Sequence, residues 1–261
     1  MTLWARLTWQ AAEPATRAAD LERRLGVTGR DGGLVPGSRL LDLGTAYLEV
    51  RPWVREGPAD NPHPAGRLML EPVPGGEEVP GSSLSIAAVG AVGAVGAVAQ
   101  AAPDPARLVL VGLGWSTVDL DRAESDLEMW LADGAGSPAP DGVPDPADPH
   151  LGARARIRGS AGLPGEWLVL LEPSTEGRAA AALARDGEGP CALYLWPPGG
   201  LPAWLLATGA QGVTVTGTTR PGGPFGDQVL LAGTPPAGPH VIVVGDRTPA
   251  PLAGGASTIA P

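Results

Sequence analysis

A chain of 261 residues is long enough for one large domain or two small ones with real cores. Its net charge of −10 argues against nucleic acid as a partner, because phosphate binding needs a positive footprint. The single Cys, Cys191, excludes an intrachain disulfide and a cysteine-based zinc site.

Extended sequence at Leu3–Gln10 comes first in chain order, then a helix over Arg17–Leu25 stopped by Gly26. Strands follow at Arg39–Leu43 and Ala46–Val50. Residues 80–104 carry almost no charge and contain the AVGAVGAVGAV run from Ala88 to Val98. Its period of three matches neither helix nor strand, and Ala and Gly gain little in hydrocarbon, so an inter-domain linker or a slack buried segment is expected and a membrane span is not. A second strand–helix pattern begins with Arg107–Thr117. Asp119 is placed as N-cap for a helix whose Leu120, Ala123, Leu127 and Trp130 share one face, with Gly134 as its stop. A Pro/Asp/Gly loop leads to strands Ala153–Arg158 and Trp167–Leu171. The third pattern has strand Ala192–Trp196, a helix opened by Pro202 and stopped by Gly209, then Val213–Thr216, Gln228–Ala232 and His240–Val244.

Composition adds two points. All 18 basic residues are Arg, which with 39 Gly and 30 Pro reads as coding bias and not as guanidinium chemistry. The first residues lack the basic flank and apolar run of a signal peptide, so a cytoplasmic protein is the expectation.

The stretch Glu166–Trp196 carries the most specific signal. Leu170-Leu171-Glu172-Pro173 ends a strand, a short Ala/Leu/Arg helix follows, and Gly187-Glu188-Gly189-Pro190 opens the next strand. This resembles the crossover between the two halves of a glyoxalase-like, or vicinal oxygen chelate, domain, nearest its methylmalonyl-CoA epimerase branch. The resemblance implies an α+β fold of paired βαβββ units wrapped into a concave sheet. It divides the chain into an N-terminal degenerate half unit (1–79), a linker (80–104), a complete domain (105–246) and a tail (247–261).

In metal-using relatives, the resemblance implies, each first strand supplies a His or Gln and each fourth strand a Glu. The matching places here hold Val169, Cys191 and Ala192, with Trp115 nearest the inward position of its strand and no Glu in His240–Val244. No cofactor is therefore expected. Glu172 and His150 remain as candidate acid/base residues. For Glu172 the competing reading is a strand terminus that meets solvent or an Arg; for His150 it is an exposed loop histidine. Trp115, Trp167, Tyr194 and Trp196 are candidates to line an apolar cavity, with core packing as the competing reading, and Glu49 is either an inward carboxylate in the first unit or an outward, solvated one. His63 and His240 have no evident partner. Arg154, Arg156 and Arg158 alternate on one strand face; a solvated or acid-paired face is favoured over an anion site. Gly112-Leu113-Gly114 lacks the third Gly of a dinucleotide loop.

The expected function is metal-independent binding of a small, largely apolar molecule by a degenerate member of this fold. A metal-dependent lyase, isomerase or dioxygenase-type enzyme is the first alternative, and a protein-interaction module the second. A homodimer is one way to complete a second cavity from the N-terminal unit.

Overall fold

The computed structural model describes residues 4–11, 13–27, 29–32, 36–44, 46–52, 68–73, 107–127, 145–160, 163–174, 176–209, 215–232 and 239–249. The 80–104 segment, Trp130, Gly134, His63 and most of the 247–261 tail lie outside them.

The first unit runs β1 (Trp4–Ala11), α1 (Pro14–Leu25), β2 (Gly29–Asp31), β3 (Arg39–Asp42) and β4 (Tyr47–Pro52), followed by β5 (Leu68–Val73). Pro14 opens the helix, where its missing N–H costs nothing. Gly26 closes it in the left-handed conformation, φ 64°, which a side chain would resist. Ala18, Leu21 and Leu25 bury one face of α1.

The second unit comprises β6 (Val109–Ser116), α2 (Leu120–Asp126), β7 (Ala147–Asp148), β8 (Ala153–Gly159) and β9 (Trp167–Pro173). Asp119 caps α2 as its type predicts, accepting from the amides of Asp121 and Arg122, each at 3.0 Å. After the crossover helix α3 (Arg178–Asp186), the third unit runs β10 (Gly189–Trp196), α4 (Leu201–Gly209), β11 (Val215–Gly223), β12 (Gly226–Leu231) and β13 (His240–Val244). The short strands β2, β5 and β7 have no counterpart in the sequence reading. At three or two residues, β2 and β7 are too brief to show alternation.

All three units share one topology. In each, the fourth strand lies parallel beside the first, with the third and second outside it. The five-stranded sheet reads β2-β3-β4-β1-β5 and the eight-stranded sheet β11-β12-β13-β10-β6-β9-β8-β7. In the larger sheet, β6 and β10 pair antiparallel at the centre and join two units. In the smaller, β5 pairs antiparallel with β1, where a second unit's first strand would lie.

The larger sheet curls until β11 meets β7, its two edges nearly closing a barrel. Its inner face gathers Val111, Val169, Leu171, Tyr194, Phe225, Leu230, Ile242 and Val244, and α3 adds Ala179 and Ala182. On its outer face, α2 covers Leu168 and Leu170. The rest of that face, with Leu193, Leu195, Val241, Val243 and α4, shares one core with Leu7, Trp9, Leu48, Val50 and α1 of the first unit. The amide of Leu110 also donates to the carbonyl of Leu43 at 2.8 Å. Among the described residues, no helix is long and apolar enough to cross a membrane.

Candidate functional site

The interior of the curled sheet is where a ligand cavity is expected, and it is built around one carboxylate. Asp148 ends β7 and is fully buried. Its Oδ1 accepts from the amides of His150 (3.0 Å) and Leu151 (2.9 Å), fixing the Asp-Pro-His turn, and from Nε2 of Gln228 on β12 at 3.1 Å. Its Oδ2 accepts from the hydroxyl of Tyr194 on β10 at 2.7 Å. Nε2 of His150 donates to the carbonyl of Gln228 at 3.0 Å. Strands from both halves of the domain are thus tied across the interior by four side chains.

Burial dominates the electrostatics here. It pushes the Asp148 carboxyl up, against the opposing effect of its donors, chiefly Tyr194 and the amides of Leu151 and His150. Burial, with Asp148 alongside, also holds Tyr194 well above the ordinary phenol range, so its hydroxyl stays a donor.

Beside this network two aromatic rings pack closely. Tyr194 and Phe225 lie with ring centroids 5.4 Å apart, both fully buried. They occupy room that β6 leaves by placing Gly112 and Gly114 opposite them. A Cβ on Gly112 would lie 3.1 Å from Phe225, and one on Gly114 2.7 Å from the Cβ of Ala192. Where its residues are described, the interior is packed around a polar centre.

The residues singled out from sequence are brought together only in part. His150 is buried in the network and is not an exposed loop histidine. Tyr194 reaches the same carboxylate, Asp148, from β10. Glu172, at the end of β9, meets Arg154 at 2.6 Å. Trp115 points to the outer face, where it packs with Leu120 and Leu168 under α2; Gly114 holds the inward place on that strand. Trp167 and Trp196 flank the inner core at its periphery, and Trp196 lies under the guanidinium of Arg247 at 5.8 Å. Glu49 is buried in the other sheet, in register with Thr8, on the face away from α1. Arg156 pairs with Asp121, Glu124 and Asp145, and Arg158 with Glu124, so the alternating arginines face α2 and acidic partners.

Asp148, Gln228 and Phe225 escaped the sequence reading. The one available signal was an Asp two residues before a candidate His, in a turn leading to an apolar strand.

Glu188 of the Gly-Glu-Gly run serves the crossover. Its Oε1 accepts from the Thr117 hydroxyl (2.7 Å), the Val118 amide (2.9 Å) and the Arg122 guanidinium, locking the entry of α2. Those bonds hold its carboxyl below the usual range, the Val118 amide contributing most.

The divalent ion that the fold implies was tested against these residues. First- and fourth-strand positions facing the interior include Gly114, Val169, Ala192 and Ile242, none with a ligating atom. Cys191 is buried, its thiol pushed up to about 12, so it is held as a thiol and not as the thiolate a metal takes. Among the described residues no three His, Cys, Asp or Glu side chains converge. These residues do not fit the ion.

The chain has the paired-unit fold of vicinal oxygen chelate proteins. Solved structures similar to it include methylmalonyl-CoA epimerase from Mycobacterium tuberculosis, 22% identical, covering 56% of this chain and 91% of that one at a TM-score of 0.43. A Streptomyces coelicolor methylmalonyl-CoA epimerase variant in complex with 2-nitronate-propionyl-CoA is 20% identical, covering 52% and 93% at 0.40. A hypothetical protein from Bacillus halodurans is 15% identical, covering 52% and 92% at 0.39. No protein-family model matches the sequence, and no curated protein does. The fold assignment rests on the strand order.

Proposed function

We propose that this protein is a metal-independent, non-catalytic glyoxalase-like protein, acting in the cytoplasm without a nucleic-acid partner. The complete domain is a scaffold, its former cavity converted into a core. One observation carries this reading. Tyr194 and Phe225 pack into the concave interior against Gly112 and Gly114, and among the described residues there Asp148, His150, Tyr194 and Gln228 bond to one another, with Oε1 of Gln228 left without a partner. A reaction in that space would need an accessible base, an electrophilic centre and room for substrate. The polar groups identified there are Asp148, His150, Tyr194 and Gln228, all at most 6% exposed. The net charge of −10 supports the absence of a nucleic-acid partner, and a lone buried thiol suits a reducing compartment.

The test is direct. Purified protein is equilibrated with Co²⁺, Mn²⁺, Ni²⁺ and Zn²⁺, desalted and analysed for metal, then titrated with methylmalonyl-CoA. Substoichiometric metal and no saturable thioester binding are expected. Retention of one ion per chain, or epimerisation of the thioester, overturns the reading.

A further inference from the structure

The first unit carries a cleft that the filled interior of the complete domain does not explain. It has a volume of about 420 Å³ and is lined by Gly26, Val27, Arg30, Leu40, Asp42, Tyr47 and Arg107. Four of these project from one face of the small sheet. Arg30 is in register with Leu40, Asp42 is in register with Tyr47, and Leu40 and Asp42 share a face by strand alternation. That face is opposite the one Leu41 and Leu48 bury against α1. The volume falls within the range of small-molecule sites.

The charges in the cleft are unusually arranged. Arg39, one strand from Arg30, is consumed by Glu22 and Asp31. Among the described residues, neither Arg30 nor Arg107 has a carboxylate partner; Arg30 instead lies over the ring of Tyr47, 5.4 Å from its centroid. The ring meets the guanidinium without using its N–H donors on a carboxylate. Arg107, from the segment entering β6, supplies a second cation. Asp42 places a carboxylate in the same cleft; one oxygen accepts from the amide of Gly44 at 2.8 Å, and among the described residues no bond occupies the other. Gly26 brings the carbonyl end of α1 to the wall, a region of negative potential. Val27 and Leu40 are half-buried and apolar.

We infer that this cleft binds a small zwitterion with an apolar body, of the free α-amino acid class. Its carboxylate sits between Arg30 and Arg107, its ammonium faces Asp42 and the end of α1, and its side chain lies on Val27, Leu40 and Tyr47. A simple anion would leave Asp42 repelling it, and a simple cation would face two guanidinium groups. Only a ligand with both charges satisfies both ends.

Isothermal titration on the full chain tests this with three probes of one shape: L-phenylalanine, 3-phenylpropanoate and 2-phenylethylamine. L-phenylalanine should saturate in the millimolar range and bind roughly tenfold more tightly than either singly charged analogue. Arg107→Gln should remove its binding. Asp42→Asn, which keeps the turn acceptor for Gly44, should erase the preference over 3-phenylpropanoate. Arg107 is exposed and Asp42 half-exposed, so the variants are expected to fold, and circular dichroism checks it. Absence of saturation by L-phenylalanine overturns the inference. So does equal or tighter binding of 3-phenylpropanoate to the wild type, or unchanged affinity in both variants. The metal and thioester test reads the other sheet, so the two proposals fail independently.

Discussion

The phenol of Tyr194 donates to Oδ2 of Asp148 at 2.7 Å inside the curled sheet, and neither residue is exposed to solvent. This bond joins β10 of one βαβββ unit to β7 of the other, so it is both the centre of the core and a tie between halves. A buried carboxylate is tolerated only when donors surround it, and Tyr194 is the donor on its far oxygen.

Tyr194→Phe should therefore cost about 1.5–3 kcal/mol, the range for a lost hydrogen bond to a charged group. Urea denaturation at pH 7 reads the change as a shift in midpoint with the slope unaltered. A cost under a few tenths of that would mean the interior admits water.

Asp148 gives a pH signature of definite sign. Burial raises its folded value above the unfolded carboxylate value of about 3.9. The folded state then holds the proton to higher pH, so the group's contribution to stability is fully present below about pH 4. It is lost as pH rises through the folded value. Wild type measured against Asp148→Asn should gain stability as pH falls from 7 toward 4. Glu188 has the opposite sign, because its bonds lower its folded value. Its contribution is present above the unfolded value of about 4.3 and is lost as pH falls through the folded one. Glu188→Gln should remove that acid-side loss.

The glycine positions of β6 test whether the interior is solid. Gly114→Ala places a Cβ 2.7 Å from that of Ala192, an overpacking expected to cost about 1–3 kcal/mol. Adding Ala192→Gly should recover part of it, as contacting residues couple. An empty cavity would accept the extra methyl without penalty.

Cys191 reports the same packing chemically. Its thiol is buried and pushed up to about 12, chiefly by desolvation, so almost no thiolate exists at pH 8. Native protein should resist a thiol reagent such as 5,5′-dithiobis(2-nitrobenzoate) and react with one equivalent only on unfolding. Rapid native labelling would show that the crossover strand opens.

The shared core between the small sheet and the outer face of the large one bears on the division of the chain. Deleting residues 1–79 would expose Leu110, Leu193, Leu195, Val241 and Val243 together. The shortened chain is expected to aggregate or to bind a hydrophobic dye, while the full chain unfolds in one calorimetric transition.

Local rules made much of the architecture legible. Gly26 and Asp119 mark helix ends through backbone geometry that depends only on nearby residues, and both occur as their types require. The apolar run at His240–Val244 is a strand with those same limits. The Leu-Leu-Glu-Pro and Gly-Glu-Gly run pointed to paired units, because a crossover between two such units needs a strand, a short helix and a tight turn in that order.

The roles of individual side chains were not legible in this way. Alternation says that Trp115 and Gly114 face opposite sides of a strand, but not which side is the interior; helix α2 decides that by covering Trp115. His150 read as a loop residue because its partner Gln228 lies far along the chain, and no local pattern links them. Sequence by itself determined most of the longer elements, the paired units and the residues standing in the recognised motif, since each depends on short-range spacing. Only the tertiary structure decided that aromatic rings occupy the concave face, because that depends on Gly112, Gly114, Tyr194 and Phe225 meeting from two strands and a hairpin turn. It also brought Arg107 beside Arg30, Asp42 and Tyr47, a convergence across a long stretch of chain that spacing cannot encode.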